Sequence, residues 1–212
     1  MIRTLCLLAA LLAPAALSAQ DLPPPQAGKF RIDLGQTRLT FRVSHLGFSM
    51  YTALLRDTDA DLDFDPGQPE AMQVSATVQA GSVETLHPDP ALDFNAVLAG
   101  ADLLDAAQFP KITFGSSAVA LTGAATADVT GDLTLHGVTR PVTLAVTCNG
   151  GYGNLPLDPG SARIGFSATG MLKRSDFGIG YGIPAPGSAF GVGDEVQIII
   201  ETEFTNPDAP KP

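Results

Sequence analysis

Apolar and polar residues alternate along most of this chain, with the two-residue period of β-strands that bury one face. In LTFRVSHLGF, residues 39–48, Leu39, Phe41 and Val43 alternate with polar neighbours, and His45 falls on the apolar side. Runs of this kind predict strands at 30–34, 39–47, 56–65, 72–80, 111–121, 127–135, 141–148, 162–172 and 195–204. The short turn between the strands at 127–135 and 141–148 predicts a hairpin.

The segment between Asp89 and Phe109 interrupts this alternation and is rich in Ala and Leu. We expect one or two short helices there, bounded by prolines. Stretches rich in Gly and Pro at 149–161 and 178–193 predict long loops. The pattern therefore predicts a mainly β domain with an antiparallel sheet and a short helical insert, built as a closed barrel or a sandwich.

The first 19 residues have the shape of a secretory signal peptide. Arg3 precedes an apolar run, residues 5–12, and small residues follow. This run is short for a membrane span and Pro14 comes soon after it, although a retained N-terminal anchor is the alternative. We expect cleavage after Ala19 or Ser18.

The rest of the chain has the length of one domain, which we place at residues 30–205. A proline-rich lead-in at 20–29 and a tail at 206–212 are expected to be mobile. The net charge of −10 gives no basic surface for nucleic acid or for anionic membranes. Removal of Cys6 with the signal peptide would leave Cys148 alone, as a small buried hydrophobe or, alternatively, a reactive thiol.

The sequence contains no G-x-S-x-G, H-E-x-x-H or P-loop motif. His45, His87 and His136 are far apart in sequence, so no two have the spacing of metal ligands, and only a site assembled by the fold is left open. Alternating aspartates from Asp57 to Asp65 would lie about 7 Å apart on an extended strand. They predict the solvated outer face of a strand, and we expect no metal and no cofactor.

Six segments, in order, resemble the YceI-like family of exported lipid-binding proteins. They are FRVSHLGFSMYTALLRDTDADLDFD, AGSVET, DLLDAAQFPKITFGSS, GDLTLHGVTRPVTL, LKRSDFGIG and VGDEVQIIIETEF. The resemblance covers roughly residues 28–204, and it departs from the family at MYTALLRD, which lacks the usual glycine–phenylalanine pair. It implies an extended, eight-stranded, antiparallel, lipocalin-like barrel that holds a long isoprenoid or another amphiphile. It also implies export to the bacterial periplasm and permits a homodimer.

Aromatic residues are almost all Phe, with eleven Phe and no Trp. Alternation alone fits a filled core as well as a hollow one, since an eight-stranded barrel can hold side chains or one small ligand. If the barrel is hollow as the resemblance implies, the residues expected to bind the ligand are Leu39, Phe41, Val43, His45, Phe64, Phe94, Phe109, Phe114, Phe166, Leu172, Arg174, Asp176 and Phe177.

Polar residues near the ligand would set its specificity. His45 either donates to a head group or is a buried neutral histidine bonded to backbone. Arg174 and Asp176 either form a local ion pair or turn, or Arg174 meets an anionic or carbonyl head group. His136 is interpreted as capping a turn, with Arg140 as its solvated neighbour.

The sequence thus favours a periplasmic binding or carrier protein for an isoprenoid lipid of quinone or polyprenyl type, or a similar amphiphile. It would have no nucleic-acid partner and no membrane span after cleavage. Two alternatives stay open. One is an enzyme that acts on a hydrophobic substrate with His45 as acid or base. The other is a stress or interaction protein whose barrel is filled.

Overall fold

The computed structural model describes residues 22–155 and 162–209, and these residues form mainly antiparallel β-structure. The strands are β1 Gly28–Ile32, β2 Arg38–His45, β3 Ser49–Leu55, β4 Thr58–Phe64, β5 Gln73–Gln79, β6 Val83–Glu84, β7 Lys111–Leu121, β8 Thr126–Leu135, β9 Val138–Tyr152, β10 Ala162–Lys173 and β11 Val192–Asn206. The helix α1 spans Phe94–Ala99, and single 3-10 turns span Leu34–Gln36, Pro69–Ala71, Ala80–Ser82 and Arg174–Phe177.

Eight strands close into a barrel, and three of them are composite. β1 with β2, β3 with β4, and β5 with β6 each form one long strand with a short interruption, as their pairings with one another show. β7 to β11 then follow in order, each antiparallel to the one before. Because β11 pairs with both β2 and β1, and β5 pairs with β7, the strands close into a ring and the predicted eight-stranded barrel is confirmed.

The strand β4 shows why the sequence folds in this way. Thr58, Ala60, Leu62 and Phe64 are buried, while the aspartates between them are exposed. The predicted outer face of aspartates is therefore confirmed. Cations from β1 lie beside it, with Lys29 Nζ 2.6 Å from the Asp63 carboxylate and Arg31 Nη2 2.6 Å from that of Asp59. These exposed ion pairs offset part of the repulsion within the acidic row.

Two tight turns lie at one end of the barrel, which we call the His45 end. Leu46 and Gly47 have φ of 54° and 72°, and His136 and Gly137 have φ of 52° and 74°. Two consecutive left-handed residues make the turn that suits the twist of a two-residue hairpin. Residues 46–48, which include Leu46 and Gly47, join β2 to β3, and His136 and Gly137 join β8 to β9. The opposite end, which holds the β7–β8 turn, is called the far end.

Several predicted boundaries were wrong. The strand β3 was not predicted, because SMYTALL has no charged residue to mark its outer face. The loop predicted at 149–161 starts too early, since β9 continues to Tyr152 through ladder bonds with β10. The loop predicted at 178–193 ends at β11, which begins at Val192.

Parts of the lead-in and of the tail pack on the barrel. Gly153 donates its backbone N–H to the carbonyl oxygen of Pro23 over 2.6 Å, and β1 already begins at Gly28. Ala209 is buried, and its carbonyl oxygen accepts a hydrogen bond from Asn154 Nδ2 over 3.4 Å. The predicted signal peptide, residues 1–19, lies outside the described residues.

Packed clusters of side chains fill part of the barrel and support α1. Toward the far end, the rings of Phe30 and Phe64 meet edge to face with centroids 5.4 Å apart. Near the His45 end, Phe177 is fully buried in a second cluster. A third places Leu98 of α1 against the wall of β3 and β6. These clusters hold the ends of the strands in place and leave space between them.

Candidate ligand-binding cavity

A cavity of about 850 Å³ lies inside the barrel. Its wall extends from His45 and Tyr181 at the His45 end to Leu121 and Thr126 at the far end. This volume falls in the upper part of the range for small-molecule sites, roughly 300–1,000 Å³. The alternative of a filled barrel is therefore wrong.

The cavity wall is apolar because the alternation of each strand directs its apolar residues inward. In β11, Val196, Ile198 and Ile200 line the cavity, and in β5 Val74 and Val78 do so. Apolar surface of this kind binds hydrocarbon by removing it from water, without needing directed hydrogen bonds along a chain. Cys148 lies in the same wall as a free, half-buried thiol.

Most of the residues predicted to bind ligand lie in this wall. They are Leu39, Phe41, Val43, His45, Phe64, Phe94, Phe114, Phe166, Leu172 and Arg174. The strands β2, β4, β7 and β10 supply eight of them through their inward faces, α1 supplies Phe94, and Arg174 follows β10.

Three predicted residues lie outside the wall. Phe109 packs its ring against the ring of His136, with centroids 4.7 Å apart, next to the β8–β9 turn. Asp176 is exposed, and its carbonyl oxygen accepts a hydrogen bond from Arg140 Nε over 3.4 Å. Phe177 fills the core instead of bordering the cavity. Asp176 and Phe177 were misplaced because the Arg174–Phe177 segment is a 3-10 turn, which the strand period does not describe. Phe109 was misplaced because it precedes β7 and belongs to no strand.

His45 lies at the mouth of the cavity. It is the last residue of β2, opposite Ser49 of β3 and Val192 of β11. Its side chain is exposed and borders the cavity, so the interpretation of a buried histidine was wrong. Its ring makes no hydrogen bond with any residue of the described ranges. A ligand at the mouth would therefore meet a ring with both nitrogens available.

Arg174 is buried at the same end, and backbone carbonyls surround its guanidinium. Nε donates to Gly193 over 2.8 Å, Nη2 to Val192 over 2.7 Å, and Nη1 to Tyr181 over 2.6 Å, with a longer bond of 3.5 Å to Ile179. Burial lowers the pKa of Arg174, and the nearby charge of Asp194 opposes that shift. The guanidinium thus fixes the backbone around the mouth, and it forms no ion pair with Asp176.

The Asp194 carboxylate binds Ser175, which follows Arg174 in the chain. It accepts hydrogen bonds from the backbone N–H of Ser175 over 2.9 Å and from the Ser175 hydroxyl over 2.8 Å. Burial alone would raise the pKa of Asp194, but these two bonds, with the charges of Lys173 and Arg174, hold it below its ordinary value. The start of β11 is therefore tied to the end of β10.

Sequence reasoning missed two buried hydroxyl groups in the wall. Tyr51 Oη and Thr58 Oγ1 are buried, and neither has a hydrogen-bond partner among the described residues. The Tyr51 ring meets Phe94 of α1 edge to face, with centroids 5.6 Å apart. The alternation within SMYTALL could have placed Tyr51, Ala53 and Leu55 on one inner face, had β3 been predicted. Unpartnered buried hydroxyls are costly, so both are candidates for polar contacts with a ligand.

Residues 22–155 and 162–209 lack two features that would suggest other functions. Within these ranges no helix is long and apolar enough to cross a bilayer. The same residues include no cluster of three or more His, Cys, Asp or Glu side chains arranged to hold a metal ion.

Known proteins match the chain at the level of sequence and of fold. A UPF0312 protein of Pseudomonas putida (strain W619) is 41% identical over 155 residues, which are 72% of this chain and 77% of the relative. A UPF0312 protein of Pseudomonas savastanoi pv. phaseolicola is 41% identical over 139 residues, 66% of this chain and 69% of the relative.

Among solved structures, BcnA of Burkholderia cenocepacia has a TM-score of 0.66 at 26% identity, covering 81% of this chain and 98% of BcnA. A domain of Saccharophagus degradans, described as polyisoprenoid binding and implicated in plant cell wall breakdown, has a TM-score of 0.56. It is 15% identical, over 85% of this chain and 98% of that domain, and so shows the fold alone. The YceI-like domain model matches residues 30–204, which is most of the chain, and the chain belongs to the YceI-like family.

Proposed function

We propose that this protein is a periplasmic carrier that holds one long-chain isoprenoid lipid, of quinone or polyprenyl type, or a similar amphiphile inside its barrel. The observation that carries the proposal is the continuous apolar cavity of about 850 Å³. Each CH₂ group that leaves water for such a wall contributes about 0.8 kcal/mol, so a long chain is held without specific contacts along its length. The polyisoprenoid-binding description of the Saccharophagus domain, which shares the fold, supports the same class of ligand.

The polar residues of the wall favour the His45 end as the place of the head group. The His45 ring and the Tyr51 hydroxyl border the cavity there and have no partners among the described residues. Both can donate to a carbonyl, carboxylate or phosphate oxygen. At the far end, the wall consists of neutral residues such as Leu121, Gly123 and Thr126. An anionic or carbonyl head group therefore finds its donors at the His45 end.

Export is part of the proposal. The apolar run that follows Arg3 supports a signal peptide. The periplasm lies between two membranes, so a lipid carrier there could move lipid from one to the other. Expression of the full chain, followed by cell fractionation and intact mass measurement, tests this directly. A periplasmic protein that begins after Ala19 or Ser18 is expected, and a full-length membrane-bound protein would contradict it.

The ligand itself is tested by native purification, solvent extraction and mass spectrometry, followed by uptake of ubiquinone, a polyprenol and a fatty acid. We expect an amphiphile to co-purify and to be recovered with its mass unchanged. A ligand returned chemically altered by wild type, and unaltered by His45→Ala, would instead favour the enzyme alternative. Protein that holds no amphiphile and takes up none of the three would contradict the proposal.

A matched pair of variants locates the binding site. Ala76 lines the cavity, whereas Ala145 lies on the outer face of β9. Ala76→Phe places a ring in the cavity and is expected to abolish uptake, while Ala145→Phe adds the same ring outside and is expected to keep it. Equal uptake by both variants would show that the cavity is not the site.

A further inference from the structure

Three exposed aromatic side chains lie at the His45 end. Phe48 is 82% exposed, Phe190 is 77% exposed and Tyr181 is 59% exposed. Every other Phe and Tyr of the described residues is better covered. Phe48 follows the β2–β3 turn, and the other two belong to the segment between β10 and β11. Full exposure of two phenylalanines in one region is unusual for a surface that meets only water.

Backbone hydrogen bonds hold these segments side by side. Leu46 of the β2–β3 turn donates its N–H to the carbonyl oxygen of Gly191 over 2.8 Å, next to Phe190. Val192 donates to Gly182 over 2.8 Å, next to Tyr181. The three aromatic residues therefore surround one stretch of the mouth, beside His45.

The apolar surface continues along β3. Met50 is exposed close to the β2–β3 turn, and Leu86 is 74% exposed just beyond β6. The pairing of β3 with β6 brings the two segments together, since Leu54 lies opposite Glu84. We call Phe48, Met50, Leu86, Tyr181 and Phe190 the apolar rim.

Charge is absent from most of this region. Residues 46–55 and 177–193 contain no Asp, Glu, Lys or Arg, in a chain that has 22 acidic and 12 basic residues. The row of aspartates lies on the outer wall of β4, where Asp63 is opposite Gln73 at the start of β5, toward the far end. The 46–55 and 177–193 segments can enter the interface of a bilayer without the cost of desolvating charges of their own, and aromatic rings are favoured there. Leu86 is the rim residue with a carboxylate beside it, since its backbone N–H donates to Glu84 over 3.0 Å.

We propose that the apolar rim docks on the surface of a phospholipid bilayer, with the mouth of the cavity facing the lipid. The ligand would then pass between membrane and cavity without crossing water. The transfer step rests on the proposed function, whereas the docking rests on the exposed side chains and the missing charges. The apolar rim and the mouth of the cavity belong to the same segments. His45 and Val192 lie close in sequence to Phe48 and Phe190, and both line the cavity.

Flotation with vesicles tests the docking. The mature protein is mixed with large unilamellar vesicles of phosphatidylethanolamine and phosphatidylglycerol, at low and at high salt. Wild type is expected to float with the vesicles at both salt concentrations, because apolar insertion is not screened. Phe48→Ser combined with Phe190→Ser is expected to weaken binding about tenfold or more.

The matched control removes two apolar side chains elsewhere. Leu22 and Leu34 are 40% and 55% exposed and lie away from the rim. Leu22→Ser combined with Leu34→Ser is expected to float like wild type. Equal loss in both double variants would overturn the proposal, because it would show general surface stickiness.

Measurement of ubiquinone uptake separates the docking proposal from the proposed carrier function. The rim double variant is expected to take up ubiquinone from solution like wild type, while Ala76→Phe is expected to float but to take up none. Wild type that fails to float, while still binding ubiquinone, would overturn the docking alone. A wild-type dimer by light scattering that the rim variant converts to a monomer, with no vesicle binding by either, would assign the rim to a second copy and overturn it too.

Discussion

Arg174 and Val192 are joined by a hydrogen bond of 2.7 Å, from Nη2 of the guanidinium to the carbonyl oxygen, and Val192 is the residue opposite His45 in the β2–β11 pair. One buried cation thereby fixes the backbone beside the exposed histidine. The bonds from Arg174 to Tyr181 and Gly193 extend the same anchoring over the segment that carries the apolar rim. Arg174 thus stabilises the backbone around the mouth, and it can do so without contacting the ligand.

Replacement of Arg174 is expected to destabilise the protein strongly. Arg174→Met leaves several buried carbonyls without donors, and we expect a loss of about 3 kcal/mol in the free energy of unfolding, measured with urea. Arg174→Lys is expected to restore little of the lost stability. A single ammonium group cannot replace the three guanidinium nitrogens that donate to carbonyls in different directions. Lys173→Met, at the exposed neighbouring cation, should change stability by less than about 0.5 kcal/mol. A loss below about 1 kcal/mol for Arg174→Met would contradict the anchoring role.

The unpartnered hydroxyls of the cavity wall predict an opposite result. Tyr51→Phe and Thr58→Val each remove a buried hydroxyl that has no partner among residues 22–155 and 162–209. Both are therefore expected to leave the ligand-free protein as stable or to stabilise it by about 1 kcal/mol. Thr37→Val is the matched control, because its hydroxyl donates to the Asp33 carbonyl over 2.8 Å and lies 2.9 Å from the Thr202 hydroxyl. We expect that variant to lose about 1 kcal/mol.

Ligand binding by the same variants completes this prediction. Tyr51→Phe is expected to weaken ubiquinone binding about fivefold, the equivalent of one hydrogen bond of about 1 kcal/mol. Destabilisation of the ligand-free protein by Tyr51→Phe, with unchanged ubiquinone affinity, would show that the hydroxyl serves the fold alone.

The barrel could be predicted from the sequence because burial follows chain alternation directly. In β4 and β5, apolar residues at every second position face the cavity, and a one-residue shift would expose them all. The same period placed His45 on the cavity side without any knowledge of the barrel. The strand β3 escaped prediction because both of its faces lack charge, and the outer face of this strand borders the apolar rim.

The residues after β10 show what periodicity does not determine. Arg174 is buried and Asp176 is exposed, although they are two residues apart, because a 3-10 turn replaces the strand at Arg174. The four carbonyl partners of Arg174 come from residues 179–193, and their convergence depends on how that segment folds back on the barrel. Whether the interior is hollow also depends on the whole closed barrel. The inward-facing residues of a single strand show the same pattern in a filled core and in a hollow one.

Acid should weaken the ion pair that links the end of β1 to β10 across β11. Arg163 Nη1 lies 2.7 Å from the Asp33 carboxylate, and the hydrogen bond from Arg163 lowers the pKa of Asp33, with burial opposing the shift and the Gly35 N–H assisting it. A lowered pKa means that Asp33 stabilises the fold fully above its unfolded pKa of about 3.9, and that this contribution is lost as the pH falls through the folded value.

Asp33→Asn is therefore expected to cost about 1 kcal/mol at neutral pH, reduced by partial exposure of the pair, and the difference from wild type should shrink as the pH falls below the unfolded pKa of about 3.9. Urea unfolding at a series of pH values measures it. Asp63→Asn, which breaks the more exposed pair with Lys29, is expected to cost less than Asp33→Asn. A constant difference between wild type and Asp33→Asn down to pH 2 would contradict the ion-pair explanation.

Gly131 leaves room for the ring of Phe114 against the cavity wall. A Cβ atom at Gly131 would lie 2.5 Å from Phe114 Cζ and 2.5 Å from the carbonyl oxygen of Gly115. Gly131→Ala is expected to cost about 2 kcal/mol, because the ring and the neighbouring backbone must both move. It is also expected to reduce ubiquinone uptake, since the Phe114 ring borders the cavity and a shift of the ring into it would narrow it. Phe114→Leu in the same chain should recover part of the stability, giving a favourable coupling of about 1 kcal/mol in a double-mutant cycle. Strictly additive effects of the two substitutions would show that the ring does not occupy the space left by Gly131.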